Sequence, residues 1–416
     1  MYQKTVLDNS VRIVTEKLPS QTVSIGIWID TGSRDEDEFN NGSAHFVEHM
    51  LFKGTRCRTA QQIARELDML GGMSNAFTST EQTSLYATVL DSHLEKAVDL
   101  LGDLFLNSVF SDEEVESERQ VILQEIAMVE DTPDDRVHEI FASLIWNGHP
   151  LGNTVLGSHE VVSGLNREIL LEYVRKQYLP ERIIIVAAGS VDHQRFVDLW
   201  QQKLSSLAGS PSLLHRVTPA VEPLLLKVVH KPLEQVHLVL GTKGLPITSE
   251  DRYKLMLLNI ILGGNMSSRL YQEIREKRGL AYSVYSYLVS YSDSGYLGIY
   301  LGVDPNTLLQ VVDLVKTELD LFVSGPVTEE ELSRAVDYTK GGMYLSAENM
   351  EARMTRLARN ELFFHRSIAM EEVAERLEGV TPMHIMEMAK SLLSGSPLSL
   401  SVIGPVDEKI VLGLKI

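Results

Sequence analysis

The sequence predicts an α+β fold of two homologous repeated domains, each a mostly antiparallel sheet covered by helices on one face. Three observations support this prediction. The chain has 416 residues, which is too long for one ordinary hydrophobic core. Its first half reads as apolar strands that lead into amphipathic helices. The same order restarts in the second half after roughly 210 residues, which indicates an internal repeat.

The first repeat reads as strands followed by helices. Residues 22–34 place apolar side chains at every second position and end at a glycine turn, which predicts a strand. Ser43 is then placed to cap a helix that begins near Ala44. Periodicity further along predicts a helix, a strand and two more helices, over 59–72, 83–90, 94–108 and 111–130.

A segment rich in Ser, Pro and Gly separates the two repeats. Residues 205–223 show no periodicity and are the predicted linker. We therefore expect an N-terminal domain over 1–210 and a C-terminal domain over 224–416. In the second repeat the helix over 253–264 carries Leu and Ile where the first repeat has histidines. Those histidines are thus added to a helix that can be built without them.

Composition limits the classes of partner. A net charge of −19 argues against nucleic acid, because phosphate binding needs a basic surface. The acidity serves either solubility or an acidic chamber that attracts cationic peptides. The single cysteine, Cys57, excludes an intramolecular disulfide and fits a reducing compartment. With no long apolar run and no signal-peptide pattern at the start, we expect a cytoplasmic protein without a membrane span.

Two histidines and a glutamate interrupt the apolar helix within residues 42–55. His45 and His49 lie about 40° apart on one helix face, so both imidazoles can approach one cation. Glu48 lies beside them, in the inverted H-x-x-E-H arrangement, and is the predicted general base for water at the metal. The alternative is a pair of ordinary core histidines.

A catalytic zinc needs a third protein ligand. Glu118 and Glu125 interrupt an apolar stripe of a helix, and a buried carboxylate requires a cation or hydrogen bonds. Either can be the ligand on this argument, while the other hydrogen-bonds a histidine from behind. An ordinary solvated helix face is the alternative. A His/His/Glu set favours zinc, although manganese or cobalt would also bind.

The segment after Gly71 and Gly72 predicts a strand with small side chains at Ser74 and Ala76. An exposed edge of this kind accepts a peptide as an added strand through main-chain hydrogen bonds. The alternative is an ordinary strand that is paired on both sides.

Several blocks of the chain resemble the pitrilysin/insulinase zinc peptidases, and within them the short-subunit branch that contains the mitochondrial processing peptidase. HFVEHMLFKGT is similar to the zinc helix of that family. ERQVILQE is similar to its E-x-x-x-x-x-x-E block, which implies Glu125 as the third ligand and Glu118 as the carboxylate behind a ligand. GGMSNAFTSTEQTSLY is similar to its substrate-binding edge strand, which implies that Asn75 and Ala76 hold the substrate backbone.

The second half resembles the same family. GGNMSSRLYQEIREKRGLAYSV is similar to its second-domain signature. The resemblance implies that Arg275 and Tyr282 orient the scissile carbonyl and stabilise the oxyanion. Family members enclose peptides in a chamber of two halves, and this chain supplies one half. The resemblance therefore implies a homodimer in which Arg275 and Tyr282 serve the zinc site of the partner subunit.

We therefore expect a zinc-dependent metalloendopeptidase, with one zinc per subunit, that cuts unfolded peptides or precursor segments inside a dimeric chamber. The acidic residues Glu130, Asp131, Asp134 and Asp135 follow the ligand helix, and they either favour Arg or Lys in the peptide or form an ordinary solvated loop. One alternative is a non-catalytic scaffold subunit of the same fold, against which the intact motif argues. A second is a heteromeric enzyme whose partner supplies the arginine and tyrosine, which this chain already contains.

Overall fold

The computed structural model describes residues 1–205, 207, 216–220, 225–394 and 398–412. Most of the predicted linker, residues 205–223, lies outside the described residues. The strands of the described part are β1 (Tyr2–Val6), β2 (Arg12–Lys17), β3 (Thr22–Ile29), β4 (Met73–Thr78), β5 (Thr83–Leu90), β6 (Ile183–Gly189), β7 (Leu226–His230), β8 (Val236–Lys243), β9 (Ala281–Ser290), β10 (Gly295–Val303) and β11 (Ser399–Gly404).

The helices include those predicted over 59–72, 94–108 and 111–130, together with others that the sequence analysis did not predict. They are α1 (Ser43–Met50), α2 (Ala60–Leu70), α3 (Leu94–Asn107), α4 (Asp112–Glu130), α5 (Pro133–Ile145), α6 (His159–Gly164), α7 (Arg167–Gln177), α8 (His193–Leu204), α9 (Arg252–Asn259), α10 (Leu308–Ser324), α11 (Glu329–Ser346), α12 (Met350–Phe364), α13 (Met370–Glu378), α14 (Pro382–Leu393) and α15 (Glu408–Leu412). The helix predicted over 253–264 continues past α9 as a π-helical turn, Ile260–Gly264. In the described part of the chain no helix is both long enough and apolar enough to cross a bilayer.

Five strands of the first sheet have the same order as the five strands of the second, and the first sheet has β1 in addition. The first has the order β1-β2-β6-β3-β5-β4 and the second β7-β11-β8-β10-β9. In the first sheet the pair β2 and β6 is parallel and the other pairs are antiparallel. In the second sheet β7 and β11 form the equivalent parallel pair. The mostly antiparallel α+β repeat predicted from the sequence is therefore confirmed, with β4 and β9 as the equivalent edge strands.

Alternation along β3 divides the first sheet into two apolar faces. Ile25 and Ile27 face the main core, where α3 and α8 contribute residues such as Leu101 and Trp200. The adjacent residue Trp28 points to the opposite face. Both faces of this central strand are apolar, so the sheet needs cover on two sides.

The chain forms two compact units, and neither is one contiguous stretch. Unit 1 consists of Met1–Ala127, Asn153–Arg216 and Leu345–Ile368, and unit 2 of Met128–Gly152, Val217–Tyr344 and Ala369–Ile416. These units differ from the contiguous division at 210 and 224 because two helices are exchanged between the halves of the sequence. Helix α5 belongs to unit 2 and α12 belongs to unit 1.

In unit 1, α12 covers the outer face of the first sheet. Its residues Met354 and Leu357 pack with Trp28 and Val186. Its buried residue Glu361 accepts a hydrogen bond from Lys4 Nζ at 2.7 Å and pairs with Arg12 Nη1 at 3.3 Å. The predicted helices lie on one face of each sheet, and the structure adds a single helix on the other face.

In unit 2, α5 covers the equivalent face of the second sheet. Val137 and Phe141 pack with Val239 and Tyr296. A Cβ atom at Gly241 would lie 2.5 Å from the Phe141 ring, so this strand position needs glycine for the helix to approach. The outer face of each sheet is apolar and must be covered. In each unit the helix that covers it comes from the other half of the sequence.

Candidate metal centre

Helix α1 begins without a capping side chain of its own. Gly42 precedes it with φ 96°, and Ser43, predicted to be the cap, is instead the first helical residue and makes no capping hydrogen bond. The buried carboxylate of Glu36 takes that place from the preceding loop. Its Oε1 accepts from the Ala44 N–H at 2.6 Å and its Oε2 accepts from the Gly42 N–H at 2.8 Å. The prediction for Ser43 is therefore wrong.

The two histidines of α1 face each other. The Nε2 atoms of His45 and His49 lie 3.2 Å apart. Glu125 of α4 places Oε2 at 3.8 Å from His45 Nε2 and at 3.6 Å from His49 Nε2. All three donor atoms lie within 4.8 Å of one another. The structure therefore brings His45, His49 and Glu125 into one group that can hold a metal ion.

This donor set fits zinc. Two donors bound to a tetrahedral zinc at about 2.0–2.1 Å would lie about 3.3 Å apart, close to the separations found. Burial, followed by the proximity of His49, lowers the pKa of His45 to about 3, so its imidazole is neutral at neutral pH. A neutral imidazole is the form that binds a metal. The buried Nδ1 atom of His45 has no hydrogen-bond partner among the described residues.

Glu118 lies behind His49, away from the Nε2 atoms. Its Oε1 accepts a hydrogen bond from His49 Nδ1 at 2.8 Å, and its Oε2 pairs with Lys53 Nζ. Glu118 is buried, whereas Glu125 is about one-third exposed. Because Nδ1 carries the proton in this arrangement, Nε2 of His49 keeps its electron pair for a cation. Helical spacing alone left the choice between Glu118 and Glu125 open.

The carboxylate of Glu48 is held from the neighbouring strand. Thr78, the last residue of β4, donates from Oγ1 to Glu48 Oε2 at 2.6 Å. Burial raises the pKa of Glu48, while the hydrogen bond from Thr78 opposes this rise. Sequence reasoning missed Thr78, as it missed Glu36 and Lys53. Their contacts are visible only in the folded chain.

Strand β4 lies at the edge of the first sheet, beside the histidine helix. It pairs with β5 on one side only, with Asn75 opposite Tyr86 and Ala76 opposite Leu85. The Asn75 side chain is exposed, and its Oδ1 accepts from the Ala76 N–H at 2.9 Å. Both residues predicted to hold substrate therefore lie on an edge strand, where Asn75 is exposed and the side chain of Ala76 is buried.

Arg275 and Tyr282 are neighbours in unit 2. Arg275 lies on a π-helical turn, Tyr271–Glu276, and Tyr282 lies at the start of β9 with 78% of its surface exposed. The guanidinium carbon is 5.1 Å from the ring centre of Tyr271 and 5.4 Å from that of Tyr282. Both distances suit cation–π contact. Sequence reasoning missed Tyr271, although its spacing four residues before Arg275 was a visible signal.

Acidic residues follow α4 in unit 2. Lys231 Nζ donates to the Glu130 carbonyl oxygen at 2.6 Å and pairs with Asp131 at 3.3 Å. Asp134 and Asp135 are exposed in the first turn of α5. One lysine therefore offsets part of the negative charge of this segment.

Comparison with known proteins identifies the family. A family model described as Insulinase (Peptidase family M16) matches residues 12–159. A second model, described as Peptidase M16 inactive domain, matches residues 164–338. The chain belongs to peptidase family M16. The resemblance read from the sequence is confirmed, and the histidine–glutamate group lies within the first matched region of this M16 protein.

Relatives of the M16 chain match along nearly its whole length. An uncharacterized zinc protease of Streptomyces coelicolor is 40% identical, over 98% of this chain and 90% of its own. The uncharacterized zinc protease YmxG of Bacillus subtilis is 39% identical, over 97% and 98%. Among solved structures, a protease from Helicobacter pylori aligns with a TM-score of 0.90 at 21% identity, covering 97% of this chain and 99% of that one. The last likeness shows the fold alone.

Proposed function

We propose that this M16 protein is a zinc-dependent metalloendopeptidase that hydrolyses unfolded peptides or precursor segments. The observation that carries the proposal is the convergence of His45, His49 and Glu125 within 4.8 Å, with Glu48 beside them on α1. The two imidazoles are largely buried and face the carboxylate of Glu125, and such a group of polar side chains is best satisfied by a shared cation. The zinc protease names of the relatives support the same conclusion.

Each residue of the group has a separate role in the proposal. His45, His49 and Glu125 hold one zinc per subunit, and Glu118 orients the imidazole of His49 through Nδ1. Zinc in such a site supplies Lewis-acid chemistry, which polarises a peptide carbonyl and acidifies water. Glu48 is the general base, because its burial and raised pKa suit a carboxylate that takes up a proton and passes it on.

Thr78 holds the carboxylate of Glu48 in place, because its hydroxyl donates to Oε2. Thr78 is also the last residue of β4, the strand that carries Asn75 and Ala76. Strand β4 therefore links the proposed substrate-binding edge to the proposed general base.

The substrate side of the proposal rests on the exposed edge and on the resemblance. An unfolded peptide adds to β4 as a strand, with Asn75 and Ala76 at its backbone. Arg275 and Tyr282 steady the oxyanion at the zinc site of the partner subunit in a homodimer. The net charge of −19 favours peptides with Arg or Lys, and a cytoplasmic location fits the single cysteine.

A non-catalytic scaffold subunit is the competing function. The model described as inactive matches residues 164–338 only, which do not include His45, His49 or Glu125. The presence of Glu48 on α1 beside the two histidines, with its carboxylate held by Thr78, supports a catalytic site. The peptidase is therefore the better-supported of the two.

The deciding experiment measures cleavage of a quenched, unstructured, Arg-containing peptide. Wild type is compared with Glu48→Gln and with the control Glu113→Gln, an exposed glutamate of α4. Each is assayed before chelation, after chelation and after zinc return. We expect cleavage by wild type and control, loss on chelation, recovery with zinc, and an inactive Glu48→Gln that still binds zinc. A wild type that binds zinc but cuts no member of a broad peptide library would instead establish the scaffold.

A further inference from the structure

We propose that Glu36 is a positioning residue for the zinc site, because its buried carboxylate fixes the first turn of α1 and with it the place of His45. The inference rests on the proposed function, since it concerns the same site. Glu36 lies nine residues before His45, in the loop after β3, and belongs to none of the motifs.

The start of α1 needs a partner from outside the helix. The first N–H groups of any helix lack partners within the helix. Gly42 precedes α1 and has no side chain that can accept from them, and a Cβ atom at this position would lie 2.8 Å from the Leu156 carbonyl oxygen. Glu36 supplies both of its carboxylate oxygens, to the N–H groups of Gly42 and Ala44. The second of these groups immediately precedes His45.

The contacts of Glu36 are geometrically specific. Its Oε2 also accepts from Asn41 Nδ2 at 2.9 Å, so three donors from the loop and the helix converge on one carboxylate. Glu36 is only 5% exposed. Burial raises the pKa of Glu36 to about 8, and the hydrogen bonds from Ala44, Gly42 and Asn41 oppose that rise. A carboxyl group removed from water is costly unless its hydrogen bonds are made, and the positive end of a helix favours its ionised form. The carboxylate therefore holds loop and helix in a single relative position.

The loop on the other side of Glu36 is held by an arginine. Arg216 donates from Nε to Asp35 Oδ1 at 2.9 Å and from Nη2 to Asp35 Oδ2 at 2.7 Å. Its Nη1 lies 2.9 Å from Asp30. A two-pronged arginine–carboxylate pair is among the most directional contacts in proteins. The pair of Arg216 and Asp35 thus restrains the main chain directly before Glu36.

The proposed consequence is an effect on metal affinity. His45 and His49 must present Nε2 atoms about 3 Å apart, so a shift of the helix start of well under 1 Å changes the donor geometry. Groups that hydrogen-bond a metal ligand typically contribute about 10- to 100-fold to metal affinity, and Glu36 acts one contact further out, through the main chain beside His45. We expect Glu36→Gln to raise the zinc dissociation constant by about 10-fold, the lower end of that range, because its amide N–H₂ group cannot accept from a main-chain N–H.

The test is a competition titration of zinc between the full-length protein and a chromophoric chelator. It compares wild type, Glu36→Gln and the matched control Glu38→Gln, whose side chain is exposed in the same loop. The unfolding midpoint of each zinc-free protein is measured in parallel. A purely structural role would lower that midpoint and leave zinc affinity unchanged. The expected result is weaker zinc binding for Glu36→Gln alone, at a temperature where all three proteins are folded.

Other outcomes decide against the inference. Zinc affinity of folded Glu36→Gln within threefold of wild type would overturn it. Should Glu36→Gln fail to fold, Asp35→Asn replaces it, and unchanged zinc affinity there would overturn it equally. A wild type that binds no zinc removes the proposed function and the inference together. A wild type that binds zinc but cuts no peptide, with Glu36→Gln weakened, refutes the peptidase and leaves the positioning role standing.

Discussion

Glu118 is buried beside His49, and its Oε1 accepts a hydrogen bond from Nδ1 of His49 at 2.8 Å. Glu125, two turns further along α4, lies instead beside Nε2 of the same imidazole, at 3.6 Å. The two carboxylates therefore lie beside different nitrogens of His49, Glu118 beside Nδ1 and Glu125 beside Nε2. Only Glu125 also lies near Nε2 of His45, at 3.8 Å.

These different contacts of Glu118 and Glu125 predict which substitution weakens zinc binding more. Glu118→Gln is expected to weaken zinc binding by about 10- to 100-fold, as removal of an outer partner does. Glu125→Gln is expected to weaken it further, because a neutral amide replaces a charged ligand. Zinc competition titrations measure both, with Glu113→Gln on the same helix as control. The reverse order, with Glu118→Gln the weaker binder, would make Glu118 the ligand.

The hydrogen bond between Thr78 and Glu48 predicts a change in pH dependence. A general base must be deprotonated, so activity falls as pH drops through the pKa of Glu48. Burial raises that pKa and the Thr78 hydrogen bond lowers it. Thr78→Val should therefore raise the pKa and move the acidic limb of the kcat/KM profile to higher pH.

The profiles are measured on zinc-loaded Thr78→Val, wild type and Thr80→Val, a threonine outside the contact to Glu48. Only the acidic limb of the Thr78→Val profile should move to higher pH. An acidic limb that stays in place, or moves to lower pH, would show that the hydroxyl does not stabilise the ionised carboxylate.

The packing of α12 on the first sheet predicts a stability effect far from the metal. Leu357 is 4% exposed against Trp28 and Val186, so Leu357→Ala should lower the free energy of unfolding by about 2–5 kcal/mol. Leu345→Ala, at a leucine that is 76% exposed, should change it by less than about 0.5 kcal/mol. Urea titration of the zinc-free protein measures both. Equal, small effects would contradict the assignment of α12 to this core.

The proposed use of Arg275 on a partner's zinc predicts complementation between two inactive variants. Glu48→Gln and Arg275→Ala are each expected to be inactive while retaining zinc. In a mixed dimer, the Arg275→Ala subunit keeps Glu48 and receives Arg275 from its partner, so one site is complete. After subunit exchange at equal amounts, about a quarter of wild-type activity should return, since half the dimers are mixed and each holds one complete site.

The control pairs Glu48→Gln with the double variant Glu48→Gln/Arg275→Ala, which contains no intact base and should stay inactive. If Arg275 acts on the zinc site of its own subunit instead, no site of the mixed dimer contains both Arg275 and Glu48. A mixture that exchanges subunits, as seen by size and mass, yet recovers no activity would therefore refute the partner assignment.

Local spacing was enough to predict two of the three residues of the metal group. His45, Glu48 and His49 share one turn of α1, and their separation follows from helix geometry alone. The repeated succession of strands and helices was equally readable, because alternation and periodicity are local properties of each strand and helix. The family resemblance extended the same kind of information to Glu125.

Tertiary structure decided what local spacing could not. Glu118 and Glu125 are seven residues apart on one helix face, so periodicity treats them alike, and only the packing of α4 on α1 separates their roles. Glu36 and Thr78 reach α1 through chain-distant hydrogen bonds that no local pattern records. Helices α5 and α12 cover sheets built largely from the other half of the sequence, because burial of an apolar face depends on which surfaces meet in space.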